Sequence, residues 1–440
     1  MKSILFGVSI LVTFLFMAES RSETIASISV KGLSFISPDF DDPSHNNFAF
    51  IGATLRSSTK NKEAFSVDLD GFYAVGNSAL SYLNIKEIYF TLEPENYSHF
   101  HIGQKLKKWS SLDSNWNLGF FQPQFRGNPL GPENQGLTGL FWDHDEDSWG
   151  ISLFASPFFL PDQGPGYEIK NGQFQNANPW FHPPPQNIKF QGQILPIDYN
   201  INRPTTEDVV LRSVYATQLR FGEKNGFFSH LSAAYKPAQQ FAVGYTGTLV
   251  VSRAKIDITP VVYNENLYAA DVGYQNDWGA VELSMLQTKP EQAYFKNSIN
   301  TPVLEDSLSW GPRFAWNFKP FQFEVSYFDT QGGTVHDVGP DASPDRQSLT
   351  QQYLFRQANQ LQINLTEVFF RKLKWESQFQ YRFSGLDHFK QIRFKNKLIV
   401  KGPWSFTADL ILIDTADDGN LNLNTYRNLD QLWIGASYDI

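Results

Sequence analysis

Residues 431–440 read QLWIGASYDI and alternate between apolar and more polar side chains. The apolar face has Leu432, Ile434, Ala436, Tyr438 and Ile440, and the opposite face has Gln431, Trp433, Gly435, Ser437 and Asp439. A period of two is typical of a β-strand whose faces meet different environments. Because an unpaired strand here would be an exposed sheet edge, we expect it to pair with the first strand of a closed sheet.

The same stretch resembles the terminal assembly signal of bacterial outer-membrane barrels. The resemblance rests on a lead residue, a glycine two places on, an aromatic residue five places on and a final apolar residue: Trp433, Gly435, Tyr438 and Ile440. Trp433 and Ile440 depart from the pattern, in which a polar lead residue and a final aromatic residue are commoner. The resemblance implies insertion by the barrel assembly machinery into the outer membrane of a Gram-negative bacterium.

The amino-terminal residues have the layout of a secretory signal. A short basic start precedes an apolar stretch over residues 4–18, and Ala18 and Ser20 are small residues at cleavage-site spacing. The apolar stretch is shorter than the roughly 20 residues that a membrane-spanning helix needs. We therefore expect a signal peptide at 1–20 and a single barrel domain at 21–440. The absence of Cys excludes disulfides and thiolate metal sites.

The composition also favours a barrel. Aromatic residues make up 15% of the chain and charged residues 18%, while the mean hydropathy is −0.34. Such a chain is too aromatic for disorder and too polar on average for transmembrane helices. Strands that alternate lipid-facing and water-facing residues give this average. The net charge of −9 does not favour nucleic acid as a partner, because phosphate binding requires a basic surface.

Alternation recurs along the chain, most clearly in three consecutive segments between residues 373 and 412. Short turns between them predict an antiparallel meander. A soluble β-sandwich would alternate too, but aromatic residues such as Trp310, Phe383 and Trp404 near segment ends fit membrane-interface girdles. We expect an all-β fold, a transmembrane antiparallel β-barrel of about 16–18 strands, with 14 as the alternative.

Two long loops interrupt this pattern. Residues 157–208 contain nine prolines, which cannot donate to a strand ladder. This loop is expected to be packed, and either extracellular or folded into the lumen. Residues 109–135 are rich in Gly, Pro and Trp, and resemble the inward loops that narrow porin-like barrels.

Charged residues on the polar strand faces are the candidate pore lining. The basic candidates are Arg212, Arg220, Arg313, Arg382, Lys374, Lys395 and Lys397. The acidic candidates are Asp68, Asp70, Glu282, Glu324, Glu376 and Asp409. The alternative for each is that it solvates the wall or pairs across strands, for example Lys374 and Arg382 with Glu376.

Signals for chemistry are weak. The acidic run at 143–147 is interpreted as a solvated hairpin turn in preference to a calcium loop. His99 and His101 share a strand face but lack a third metal ligand. Ser384, Asp387 and His388 cluster in a turn without an identified nucleophile. We expect no catalytic residue, metal or cofactor.

The sequence therefore predicts a porin-like channel for passive diffusion of small hydrophilic solutes. The expected surroundings are outer-membrane lipid and lipopolysaccharide, and a homo-oligomer is left open. One alternative is a plugged structural or interaction barrel in a secretion, adhesion or motility assembly. A barrel hydrolase is the third.

Overall fold

The computed structural model describes residues 22–36, 46–59, 63–95, 97–175, 178–181, 183–223, 225–250, 252–296, 298–340, 345–347, 355–369, 373–400, 402–416, 426–427 and 429–440. The expected signal peptide lies outside these residues.

Eighteen strands form one closed antiparallel sheet, within the predicted number. In chain order they are β1 Ser22–Phe35, β2 Asn47–Thr59, β3 Glu63–Val75, β4 Tyr82–Glu95, β5 Ser98–Lys105, β6 Leu137–Asp145, β7 Trp149–Ser156, β8 Val214–Gly222, β9 Gly226–Pro237, β10 Asn264–Asn276, β11 Gly279–Pro290, β12 Ser307–Phe318, β13 Phe321–Gly332, β14 Gln357–Phe369, β15 Leu373–Ser384, β16 Phe389–Val400, β17 Trp404–Thr415 and β18 Gln431–Asp439. Each strand pairs with its neighbours in sequence.

The last strand closes the barrel. β18 pairs with β1 from Gln431 opposite Phe35 to Asp439 opposite Ser27, and with β17 on its other side. Ile434 and Tyr438 point outward and are 57% and 42% exposed, whereas Gln431 is fully buried inside. The predicted pairing of the last strand with the first is confirmed. Closure leaves this sheet without an edge.

The connections alternate in length around the barrel. Those that follow even-numbered strands are short, such as 277–278 and 319–320. Those that follow odd-numbered strands are mostly longer, and include 106–136 and 157–213. The connections of two or three residues therefore lie at one end of the barrel, and all longer connections lie at the other. In outer-membrane barrels the short turns face the periplasm and the long loops face outward.

The outer face of the wall is apolar and ends in an aromatic girdle at the short-turn end. The exposed rings there include Trp149, Phe221, Phe227, Trp278, Trp316, Phe318, Trp404 and Tyr438. Tyrosine and tryptophan at this level suit a membrane interface because their rings are apolar and their tips are polar. No helix that the structure describes is long and apolar enough to cross a membrane.

The long connections carry the remaining elements. A 3-10 turn at Ser78–Leu80, helix α1 at Ser111–Trp116 and helix α2 at Thr206–Val210 are the helical segments described. A four-stranded sheet joins Asn187–Phe190, Gln193–Ile201, Arg253–Val261 and Ala242–Val250. Smaller pairings are Gln124–Phe125 with Glu133–Asn134, Glu168–Lys170 with Gln173–Gln175, and Thr301–Leu304 with Thr334–Val338 and Arg346–Gln347.

Strand β8 is preceded by a helical turn. Helix α2 occupies this approach, and Thr205 caps it by accepting from the Asp208 amide. The Asp208 side chain accepts from the Thr205 amide in return, which completes a capping box. This local capping defines a helical turn through Val210, so β8 begins only at Val214.

Candidate pore

The connection 106–136, here called the inward loop, runs through the barrel interior. Its helix α1 is anchored to the far wall, where the Ser111 amide donates to Asp271 Oδ2 of β10 at 2.9 Å. The Trp109 carbonyl accepts from Ser232 Oγ of β9 and from Gln218 Nε2 of β8. The interpretation of this stretch as an inward loop agrees with these contacts.

A buried carboxylate fixes the shape of the inward loop. Asp113 accepts from the Phe120 amide at 2.9 Å and from the Phe121 amide at 3.1 Å. Burial raises the pKa of the Asp113 carboxyl, and these two hydrogen bonds oppose that shift. The chain turns back after α1 at Asn117, which has the left-handed φ of 53°. The loop is therefore held by its own backbone as well as by the wall.

The inward loop reaches the opposite wall before it leaves the lumen. Glu133 lies 2.6 Å from Lys86 Nζ of β4, and Gln135 donates to Asn84 at 3.0 Å. Asn128 donates to Gln431 of β18 at 3.3 Å. The loop thus crosses between β8–β10 and the seam of the barrel, and it narrows the lumen.

The connection 157–213 is divided between the lumen and the barrel rim. Asp162 lies 2.9 Å from Arg126 Nε of the inward loop and accepts from the Gln124 amide at 2.8 Å. Trp180 is buried and stacks on Trp433 of β18 with ring centroids 6.2 Å apart. Residues 187–201 instead belong to the four-stranded sheet. This loop therefore lies partly inside the lumen and partly outside it.

The rings of this second loop largely pack on one another. Tyr167 stacks on Phe181 at 5.3 Å, and Phe174 contacts Tyr199 at 5.1 Å. Phe174, Phe181 and Tyr199 form a small second core with Ile197 and its neighbours. The packed character expected from the sequence is therefore present.

A polar cavity of about 810 Å³ remains beside the inward loop. It follows the wall from Ile25 and Asp439, near the short-turn end, to Leu80 and Pro165, near the long-connection end. Its lining includes charged side chains of β1–β4 and β16–β18 and also Glu133 of the inward loop. We call this space the lumen cavity.

The side chains that line the lumen cavity carry a net positive charge. Six cationic and four carboxylate side chains line it. The cations are Lys31, Arg56, Lys86, Arg393, Lys395 and Lys397, and the carboxylates are Asp70, Glu133, Asp409 and Asp439. Arg393 makes two contacts with Asp409, at 3.0 and 2.6 Å, whereas Lys395 and Lys397 follow it on the same face of β16.

Four of the predicted lining residues border this cavity, namely Asp70, Lys395, Lys397 and Asp409. Lys31, Lys86 and Arg393 were not among the predicted residues. Arg393 shares the strand face of Lys395 and Lys397, so the alternation contained the signal for it. Lys86 occupies a bulge where β3 and β4 shift register, and Glu133 is on a loop, so no strand periodicity could place either one.

Other candidates do not line the lumen cavity. Arg313 contacts Glu282 at 3.4 Å and Glu324 at 2.8 Å, and both carboxylates are buried. Arg382 donates to Gln360 at 2.6 Å, and its guanidinium lies 5.5 Å from the Trp116 ring centroid. Arg382 therefore supports helix α1 of the inward loop, whereas Arg313 pairs within the wall.

The remaining candidates pair locally. Arg220 contacts Asp145 at 3.1 Å near the short-turn end, and Arg212 donates to the Asp208 carbonyl in the loop before β8. Lys374 pairs with Glu376 at 2.6 Å. Asp68 lies 3.3 Å from Arg56.

The side chains considered for catalysis or metal binding also contact other side chains. Asp143 contacts His101 at 3.2 Å, Lys105 at 2.8 Å and Lys107 at 2.9 Å. Among the residues that the structure describes, no group of three His, Asp or Glu side chains could hold a metal ion. Ser384 and Asp387 bond to each other within one turn, where the Ser384 hydroxyl also accepts from the Asp387 amide.

We expect the Arg126→Met variant to loosen the contact between the two long loops. It leaves Asp162 buried without its cation, which costs about 3–5 kcal/mol for a buried pair. Hydrogen exchange should accelerate at the Gln124 amide, which donates to Asp162, and at the Gln163 amide, which donates to the Gln124 carbonyl. The control is Arg253→Met, whose pair with Asp198 is largely exposed and contributes at most about 1 kcal/mol. Equal changes in exchange at these amides in both variants would contradict the role of the buried pair.

No protein-family model matches the sequence, and no curated protein matches it. Among solved structures, the outer membrane protein OpdK from Pseudomonas aeruginosa is similar with a TM-score of 0.48 and 10% identity, over 95% of this chain and 99% of that chain. OprD from Pseudomonas aeruginosa is similar with a TM-score of 0.44 and 11% identity, over 95% of each chain. A loop L8 deletion mutant of OmpT, an outer membrane protein of Vibrio cholerae, has a TM-score of 0.40 and 9% identity, over 95% of this chain and 99% of that chain.

The class of the molecule follows from its own wall. The sheet is closed, its outer face is apolar with an aromatic girdle, and its interior holds a charged cavity beside a loop that packs in a hydrophobic cluster. A wall of this kind satisfies its backbone groups within the sheet, as lipid requires. The chain is a closed transmembrane β-barrel with a loop folded into its lumen.

Proposed function

We propose that this protein is a passive channel through which small hydrophilic solutes cross the outer membrane. The observation that carries this proposal is the lumen cavity, which extends along the wall between the two ends of the barrel and has ten charged side chains in its lining. Water-filled lumens of this character conduct solutes without a covalent step.

In this proposal the inward loop sets the width of the passage and β16 sets its charge. Lys395 and Lys397 present ammonium groups to the cavity, and Glu133 and Asp409 provide nearby carboxylates. Solutes would move past both signs of charge, with a preference for anions because the cations are more numerous. Arg382 acts indirectly, by supporting the inward loop, and Arg313 balances the charge of two wall carboxylates.

The proposal includes the mature form of the chain. Residues 1–20 are removed as a signal peptide, and residues 21–440 fold as one barrel with the aid of the barrel assembly machinery. Trp433, Gly435, Tyr438 and Ile440 form the assembly signal. Outer-membrane lipid and lipopolysaccharide surround the wall.

Reconstitution in planar bilayers tests the channel. Purified protein that shows the heat-dependent gel mobility of a folded barrel should give stepwise conductance. Folded protein without conductance steps would overturn the proposal and favour the structural barrel.

A further inference from the structure

The outer wall has an apolar groove across β4–β10. Its volume is about 870 Å³, and nearly all of its lining is hydrophobic. The floor is low because three neighbouring outward positions, on β7, β8 and β9, have small side chains: Ala155, Thr217 and Ala233. Thr217 lies directly opposite Ala233, and Ala155 is diagonal to Thr217. We call this surface the outer groove.

Large aromatic side chains surround the floor and limit the extent of the groove. Trp142, Tyr215 and Tyr268 stand on the surrounding outward positions. The outward-facing positions of β12 instead include Trp310, Phe314, Trp316 and Phe318. None of the outward-facing positions of β12 is an alanine or a threonine. The wall is therefore indented at the outer groove.

One end of the outer groove is polar. Asn264 donates to the Tyr235 hydroxyl at 2.7 Å, and that hydroxyl lies 3.4 Å from Glu291 Oε1, so the ring at the groove end is held in place. Asn266 lines the groove and lies opposite Lys289, which is exposed on the outward face of β11. These residues are near the long-connection ends of β9–β11, at the level of the outer leaflet.

We propose that the outer groove binds an acyl chain of lipopolysaccharide, and that Lys289 contacts a phosphate of the same molecule. The dry groove matches hydrocarbon, and the polar end with its cation matches the anionic headgroup of the outer leaflet. Lipid tails already solvate an apolar wall, so selectivity must come from the shape of the groove and from the charge at its end.

A second copy of the barrel fits this surface less well. A two-fold interface brings the same patch together from both copies. Two concave patches would leave their combined volume unfilled, which costs the contacts that close packing provides. A flexible acyl chain can follow the indentation.

The test uses the full-length mature barrel in detergent, titrated with deep-rough lipopolysaccharide and followed by native mass spectrometry. We expect one tightly held molecule per barrel. Ala233→Phe fills the floor and Lys289→Gln removes the charge, and each should weaken binding by about tenfold, as loss of one specific contact does. Both changes point outward, so conductance through the lumen should be unchanged.

Two matched control substitutions lie at outward-facing positions away from the outer groove. Ala53→Phe enlarges an outward position of β2, and Lys390→Gln removes an exposed cation at the long-connection end of β16. Both should bind lipopolysaccharide like the parent. The proposal is overturned if the parent retains none, if the groove variants bind as tightly as the controls, or if phosphatidylethanolamine is held equally well. Because Lys289→Gln leaves the floor intact, it decides the question even if Ala233→Phe fails to fold.

Discussion

The double variant Tyr438→Asp, Ile440→Asp should fail to assemble as a membrane barrel. Tyr438 points toward lipid and packs edge-on against Trp404, with ring centroids 5.0 Å apart. The Ile440 amide donates to the Ala26 carbonyl of β1 at 2.7 Å, so the last residue contributes to the seam. Two carboxylates here would put charge on the lipid face of the closing strand and alter the stretch that resembles an assembly signal.

The readout is the fraction of protein that reaches the outer membrane and shows heat-dependent gel mobility. A matched control is Phe227→Asp, Trp278→Asp, which places two carboxylates at exposed aromatic positions of the same girdle but away from the seam. We expect the control to assemble. Assembly of the Tyr438, Ile440 variant at the parental level would refute the importance assigned to the closing strand.

The second large effect is expected on ion selectivity. Neutralising Arg393, Lys395 and Lys397 together with Gln leaves three cations and four carboxylates around the lumen cavity. It also frees Asp409 from its contacts with Arg393. Because the net lining charge changes sign, the reversal potential in a salt gradient should change from anion preference to cation preference.

The reversal potential should be measured at about 0.1 M salt. At this ionic strength the Debye length is about 10 Å, so the lining charges still act on a passing ion. The control is Lys170→Gln, Arg212→Gln, Arg253→Gln, which removes the same number of cations from loop positions outside the cavity. An equal shift in both triple variants would assign selectivity to overall charge. An unchanged potential in the β16 variant would remove its cations from the proposed pore.

The wall was predictable because its signal is local. Each strand alternates between lipid and water, so Leu432 and Gln431 reveal opposite faces without knowledge of any neighbour. The same alternation predicted that Lys395 and Lys397 lie inside, and the lumen cavity contains both. Turn residues between the strands were equally readable in the sequence.

The passage was not predictable in the same way. Periodicity places Arg313 and Lys395 alike on inward faces, yet the first is held between two wall carboxylates and the second borders the cavity. Glu133 faces the cavity because the loop carries it there, and the position depends on its contact with Lys86. Which inward residues meet open space depends on where the loop crosses the lumen.

The sequence by itself determined that this protein is a closed transmembrane barrel, how its faces are oriented and where its chain leaves the wall. Those properties follow from a two-residue repeat and from proline placement, which act within one segment. Only the tertiary structure decided the course of the passage and the position of the outer groove. The passage depends on contacts between residues far apart in sequence, such as Ser111 with Asp271, which exist only in the closed barrel. The groove depends on the strand register, which sets the small side chains of Thr217 and Ala233 opposite each other.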